Sequence, residues 1–272
     1  MVRIEGFEDF IFEKEDNGIC TATISRPERR NAITLISFTE MYHILEDMEK
    51  DKNAKVLILT GDPKGDAFTS GGYFRQDIFY KMKKYPEIDL MDVAQKRLSL
   101  KFWNFTKPVI AAINGMAIGG GLTMPLVGAD LIYMAEDAWF GLYFSKRGIV
   151  QEFGSSFLLP LMLGFQKTKE LIYFGKEISA QQALELGIVN KVLPKDELIP
   201  YAREQALRLI PPKGPSLSIK LMKKTMHAYF FDILSKTLDK ENRALRKSFT
   251  THDFRESMQA LKEKRDPVFI GR

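Results

Sequence analysis

Two glycine-centred turns carry the residues best placed for chemistry. One is Ser70-Gly71-Gly72, within A-F-T-S-G-G-Y-F. The other is Gly119-Gly120-Gly121, within K-P-V-I-A-A-I-N-G-M-A-I-G-G-G-L-T-M-P (Lys107–Pro125). A strand that runs into a glycine turn and then a helix leaves backbone N–H groups unpaired at the helix start. Glycine lets another group approach them closely. Such a site holds an anion, either a phosphate or an oxyanion that develops during reaction; a tight turn packed against a neighbour is the alternative. If the strands before the two turns are neighbours in one sheet, each turn can aim one N–H at the same carbonyl oxygen. Two such donors stabilise an enolate or a tetrahedral anion, and losing one costs about 2.7–4 kcal/mol of barrier. Neither turn has the Gly-Lys-Ser/Thr ending of a phosphate loop or a complete G-x-G-x-x-G.

The elements that must position these turns read off the hydrophobic pattern. Phe10–Phe12 and Ile19–Ile24 are strands joined through Asp16-Asn17-Gly18, a hairpin signal. Met41, Ile44, Leu45 and Met48 fall at helical spacing within Ile36–Met48. Lys55–Thr60 is a buried strand, and the order strand, helix, strand implies a crossover onto one sheet. Lys64–Gly72 is a loop, 73–88 is irregular, and Leu90–Trp103 is helical. Val109–Ile113 is the central strand, and Leu122–Val127 starts the helix after the glycines. Strands follow at Asp130–Ala135 and Trp139–Gly141.

Beyond Phe144 the pattern turns helical. Ser156–Leu163 is one helix. Ser179 caps another, with Gln182 completing a capping box and Gly187 past its end. Ile188–Leu193 is extended, Glu197–Leu209 is helical, and Pro215 onward is helical to about Lys264. The expected organisation is a core over residues 1–200 and a helical region over 201–272.

Composition narrows the function. The 272 residues, 45% hydrophobic and 28% charged, are ordinary for a soluble globular protein with one substantial core. No apolar run is long enough to span a membrane, and the acidic N-terminus lacks a signal-peptide core. The single cysteine, Cys20, excludes an internal disulfide and points to a reducing compartment. His43, His227 and His252 are scattered without ligand-like companions, which argues against a metal centre and a Ser-His-Asp triad. The net charge of +5 is spread along the chain, densest at Lys81–Lys84, Lys220–Lys224 and Lys262–Arg265. No basic stripe interleaves with stacking aromatics, so nucleic acid is not an expected partner.

Taken together, S-R-P-E-R-R-N-A (Ser25–Ala32), A-F-T-S-G-G (Ala67–Gly72), A-A-I-N-G-M-A-I-G-G-G (Ala111–Gly121), A-D-L-I-Y-M-A-E-D-A-W-F-G (Ala129–Gly141) and G-K-E-I-S-A-Q-Q-A-L-E-L-G-I-V (Gly175–Val189) resemble the crotonase superfamily, the enoyl-CoA hydratase/isomerase family. The resemblance runs in order over residues ~5–265. It implies an α/β fold, a spiral of repeated ββα units with C-terminal helices used in trimer assembly, as a homotrimer or a hexamer built as a dimer of trimers. It implies an acyl-CoA thioester as ligand, with coenzyme A as part of the substrate and no further cofactor, and a cytoplasmic enzyme. The oxyanion hole would be the N–H groups of Gly72 and Gly120. Substrate contacts would come from Ala67, Phe68, Thr69, Ser70, Gly71, Gly119, Thr123, Tyr143 and Phe144. Arg26, Arg30 and Lys262 or Lys264 would face the CoA phosphates. Leu142 and Phe153 join Tyr143 and Phe144 as candidates for the acyl pocket.

The acids then decide the reaction. Hydratases of this family use two glutamates, and here those positions hold Thr123 and Phe144. Neither side chain activates water, which disfavours hydration. Within G-I-V-Q-E-F-G (Gly148–Gly154), Glu152 stands where Δ3,Δ2-enoyl-CoA isomerases carry a single catalytic glutamate. By that resemblance it would take a proton from C2 of a 3-enoyl thioester and return it at C4. An apolar acyl pocket would raise its pKa, as such shuttling requires. Read without the resemblance, Glu152 is an acid favoured by a helix N-terminus. The same position carries an aspartate nucleophile in an aryl-CoA dehalogenase of the family, so ring or C–C hydrolysis, dehalogenation and unusual hydration stay open. So does a non-catalytic acyl-CoA-binding protein.

Overall fold

The computed structural model describes residues 2–73 and 92–272. The expected strands assemble into two sheets together with four short ones not expected, Val2–Ile4, Ala67–Thr69 within the stretch read as a loop, Met116–Ile118 and Glu177–Ser179. In the larger one, β1 (Val2–Ile4), β2 (Phe10–Lys14) and β3 (Ile19–Ile24) form an antiparallel meander, with Phe10 opposite Ile24 and Lys14 opposite Cys20. The turn between β2 and β3 is the expected one. Gly18 sits at φ 95°, and its N–H donates to the Glu15 carbonyl at 3.0 Å. Four parallel strands continue the sheet: β4 (Val56–Gly61), β6 (Val109–Ile113), β8 (Leu131–Ala135) and β11 (Lys191–Leu193). Every residue of β4 and β6 is buried, which explains their continuous apolar runs.

The second sheet has the order β10 (Glu177–Ser179), β9 (Trp139–Gly141), β7 (Met116–Ile118), β5 (Ala67–Thr69). It changes the reading of the glycine turns. They follow β5 and β7, which pair in parallel, rather than β4 and β6 of the larger sheet. Three-residue strands are too short for an alternating pattern to show in sequence. The turns are neighbours as expected, but in the smaller sheet.

The helices wrap both sheets. α1 (Leu35–Lys50) begins at Thr34, whose hydroxyl accepts from the Ile36 and Ser37 N–H groups while the Ser37 hydroxyl accepts from the Thr34 N–H. Met41, Ile44, Leu45 and Met48 are its buried face. A π-helical turn (Asp92–Arg97) leads into α2 (Leu98–Asn104), and α3 (Gly120–Gly128) follows the second glycine turn. α4 (Ser155–Leu163) ends at Gly164, φ 78°, and α5 (Phe165–Phe174), absent from the expected elements, starts at once. α6 (Ala180–Glu185) has the expected capping box: the Ser179 hydroxyl accepts from the Gln182 N–H, and the Gln182 side chain accepts from the Ser179 N–H. α7 (Lys195–Leu209), α8 (Ser216–Ala228), α9 (Phe231–Phe249) and α10 (His252–Glu263) complete the chain. Leu234 and Leu238 of α9 join the same apolar core as the sheets. Among the described residues no helix is long and apolar enough to cross a membrane. The irregular stretch expected over 73–88 lies, from residue 74 on, outside the described residues, as does the lysine set at 81–84.

Asn31 locks the first glycine turn to this frame. It is fully buried at φ 55°, and its side-chain amide donates to the Asp62 carbonyl (2.9 Å) and the Ala67 carbonyl (2.7 Å). Its side-chain oxygen accepts from the Arg26 N–H at 3.1 Å. Alanine would remove these three bonds, of which only the Asp62 carbonyl keeps another donor, the Gly65 N–H, and would adopt a left-handed conformation without the local hydrogen bonds that suit asparagine to it. Asn31→Ala therefore lowers unfolding free energy by about 2–4 kcal/mol, read from the urea midpoint at unchanged slope.

Candidate active site

The two turns meet edge to edge. A methyl group built on Gly71 (φ 90°) would lie 2.8 Å from the Ile118 carbonyl oxygen, and one on Gly121 would lie 2.8 Å from the Thr69 side chain. Only glycine allows this approach. Ile33 and the first turn form a short parallel ladder: the Ile33 N–H donates to the Gly71 carbonyl and the Tyr73 N–H to the Ile33 carbonyl, both at 2.9 Å. The ladder leaves the Gly72 N–H unused. In the second turn, the Gly119 N–H donates to the Gly141 carbonyl (2.9 Å), and the Leu122 and Thr123 N–H groups donate to the Gly119 carbonyl. Gly120 opens α3, so its N–H has no partner within the helix.

Both glycines line a cavity of about 330 Å3, and Glu152 lies on the same wall. A methyl on Gly120 would sit 3.4 Å from Glu152 Oε1. Glu152 is placed by an unusual bend. Phe153 (φ 57°) and Gly154 (φ 73°) are successive left-handed residues. The bulky Phe153 is held there by complete burial, with its ring 5.5 Å from that of Phe38. Such strain persists where packing over-determines it.

The start of α4 lacks a cap of its own, and Glu241 of α9 supplies one. Its carboxylate accepts from the Gly154 and Ser156 N–H groups, both at 2.8 Å. Gln95 of the π-helical turn is buried and donates from Nε2 to Glu152 Oε2 at 3.0 Å. Burial, reinforced by the negative charge of Glu241, pushes the Glu152 carboxyl up to about 7 from 4.5.

Of the other expected contacts, Ser70, Gly71, Gly119, Tyr143 and Phe144 line this cavity. Tyr143 donates its hydroxyl to Glu177, and burial together with that bond raises its pKa. Ala67, Phe68 and Thr69 are instead wholly buried in β5 behind the turn. Thr123 is fully buried, its hydroxyl donating to the Gly119 carbonyl at 3.3 Å, and it is not on the cavity wall. Leu142 and Phe153 are core side chains.

Arg26 pairs with Asp9 at 3.1 Å and donates to the Ala32 carbonyl, while its guanidinium lies 5.4 Å from the Tyr73 ring centre. Arg30 faces a separate cavity of about 230 Å3 beside Asp66, Asp137 and Lys195. Lys262 and Lys264 are exposed and away from the Glu152 cavity. Gln95, Arg147, Ile149, Glu241, Met258 and Leu261 also border Glu152 or its cavity and are not among the expected site residues. Periodicity marks the buried face of a helix but not what that face meets, so no local signal could have found them.

The mixed α/β fold, with parallel sheets and C-terminal helices around a carboxyl set against a glycine turn, is of the crotonase type. The enoyl-CoA hydratase/isomerase family model matches residues 14–272, and the chain belongs to that family. It is 29% identical over 265 residues to 1,2-epoxyphenylacetyl-CoA isomerase of Escherichia coli (strain K12), covering 97% of this chain and 99% of that protein. It is 31% identical over 261 residues to the short-chain-enoyl-CoA hydratase of Clostridium acetobutylicum, covering 94% and 95%. Among solved structures, an enoyl-CoA hydratase/isomerase from Pseudoalteromonas atlantica T6c superposes with a TM-score of 0.80 at 26% identity, covering 97% of this chain and all of that one. The structure titled Pseudomonas aeruginosa OdaA gives 0.81 at 30% identity, covering 93% and 98%.

The raised carboxyl has a cost in stability. The unfolded chain releases the Glu152 proton near 4.5, while the folded chain keeps it to about 7. Between these values the native state binds more protons, so this residue's contribution to stability falls as pH rises and is flat outside the window. Glu152→Gln removes the dependence. The variant gains stability relative to the parent at pH 8 and not at pH 4, as urea unfolding at the two pH values will report.

Proposed function

We propose that this enzyme moves a carbon–carbon double bond of an acyl-CoA thioester from the 3 to the 2 position. The observation that carries the reading is a single carboxyl, poised near neutrality, against a pair of unpaired backbone N–H groups. Among the described residues Glu152 is the one carboxylate on the cavity wall. Ionised, it takes a proton from C2 of the 3-enoyl thioester. The electrons move into the thioester carbonyl, and the Gly72 and Gly120 N–H groups hold the resulting dienolate oxygen. The carboxyl, now neutral, returns the proton at C4, and the double bond is left at C2. A pKa of about 7 lets the same group act as base and acid without a large penalty either way. Gln95 holds the carboxylate in place through its Nε2–H.

Adding water would call for a second carboxylate, and Thr123 and Phe144 occupy the positions where the hydratase glutamates would stand. Relatives named as an isomerase and as a hydratase match this chain about equally, so the preference for rearrangement rests on the acids of the site. Assembly as a trimer, or as a dimer of trimers, belongs to the same reading. The exposed Leu217, Leu221, Met222 and Met226 of α8 support it, and light scattering of the purified chain will test it.

With trans-3-hexenoyl-CoA as substrate, Glu152→Gln lowers kcat by about 10²–10⁴-fold. Affinity for a saturated thioester such as butyryl-CoA stays within about twofold, because the carboxyl acts on protons rather than on binding. The parent kcat/KM rises with pH through a limb near 7, because the base must be ionised to act. Undiminished turnover in the variant would remove this mechanism.

A further inference from the structure

Arg147 is a half-buried guanidinium on the wall of the Glu152 cavity. Two other cations withdrawn from water have acid partners: Arg26 pairs with Asp9 at 3.1 Å and Lys223 with Asp130 at 2.7 Å. Arg147 has none among the described residues. Burial draws its pKa down, and only the Tyr143 phenol beside it acts in the other direction. No ion pair joins Arg147 to Glu152, whose carboxylate instead accepts from Gln95 Nε2 at 3.0 Å. The cavity therefore holds an acid and a cation that do not neutralise each other. An unpaired, partly desolvated cation is costly to keep unless a ligand completes it.

The backbone that carries Arg147 is firmly seated. Its N–H donates to the Tyr143 carbonyl (3.1 Å) and the Phe144 carbonyl (3.0 Å). Its carbonyl accepts from the Ser257 hydroxyl of α10 at 2.9 Å. A methyl on the next residue, Gly148 (φ 64°), would lie 3.1 Å from the backbone of Asp253 and Phe254, so the turn sits directly on α10. Met258 and Leu261 of that helix form the apolar wall beside it. Arg147 thus lines a mainly apolar cavity from a fixed turn, where a planar two-donor fork discriminates strongly for an anion with two oxygens.

We propose that Arg147 is the anion seat of this cavity, taking a carboxylate or phosphate group of the bound thioester in a bidentate pair. The proposal rests on the reading that an acyl-CoA thioester occupies the cavity. The anion has two sources. One is a carboxylate at the far end of the acyl group, which would make the substrate a CoA thioester of a dicarboxylic acid. The other is a phosphate of coenzyme A. Half-burial among apolar side chains favours the first, since the CoA phosphates are the most strongly hydrated part of the ligand.

Calorimetric titration of the full chain with glutaryl-CoA, butyryl-CoA and free CoA separates the sources without relying on turnover. Arg147→Met keeps the length and removes the charge. It should lose roughly ten- to a hundredfold in affinity for glutaryl-CoA while butyryl-CoA and free CoA stay within about twofold. An equal loss for all three places the CoA phosphates on the same seat. A change below about twofold for every probe overturns the proposal. If the methionine variant does not fold, as judged by thermal unfolding, Arg147→Gln gives the same comparison with a polar neutral side chain. Selective binding of glutaryl-CoA without turnover of trans-3-hexenoyl-CoA would uphold the seat and remove the double-bond shift. Turnover with binding insensitive to Arg147 would do the reverse.

Discussion

The site depends on keeping a carboxyl out of water without giving it a cation. Glu152 is desolvated, its charge opposed by Glu241 and met, among the described residues, by one neutral donor, Gln95. An ion pair would have dropped its pKa and left it a poor proton carrier at neutral pH. The chain meets this constraint through its backbone. Phe153 and Gly154 turn left-handed, α4 begins at once, and the cap for that helix comes from α9 rather than from the loop. A cap residue with its own carboxylate or hydroxyl beside Glu152 would have competed for the same space.

The glycine turns answer a second requirement, close approach. β5 and β7 run parallel, and their outgoing turns touch at Gly71 and Gly121, where any side chain would collide. Gly72 and Gly120, whose N–H groups have no partner among the described residues, line one cavity with Glu152. Rigid backbone donors need no reorganisation when charge develops, which is why such turns serve better than flexible side chains.

The C-terminal helices do more than extend the fold. α9 carries Glu241 into the base of α4, and α10 carries Ser257 to the Arg147 carbonyl and Met258 and Leu261 to the cavity wall. The region expected to serve assembly therefore also shapes the site. A change in α9 or α10 reaches the carboxyl through two hydrogen bonds and a turn.

Much of this was legible in the chain. Continuous apolar runs marked β4 and β6 as doubly covered strands, and Ser179 with Gln182 marked the cap of α6. The glycine turns and Glu152 were visible because they break a pattern or match a family's motif. What the chain could not display was partnership. β5 and β7 are too short to show a period, and nothing local marks Thr69 and Thr123 as fully buried. Arg26 meets Asp9 across the fold, and Arg147 meets no acid among the described residues. Local residue order determined which segments form strands, helices and turns, since their periods and caps act over a few residues. Only the tertiary structure decided which charges are paired, buried or left facing the cavity, because those energies depend on neighbours tens to more than a hundred positions away.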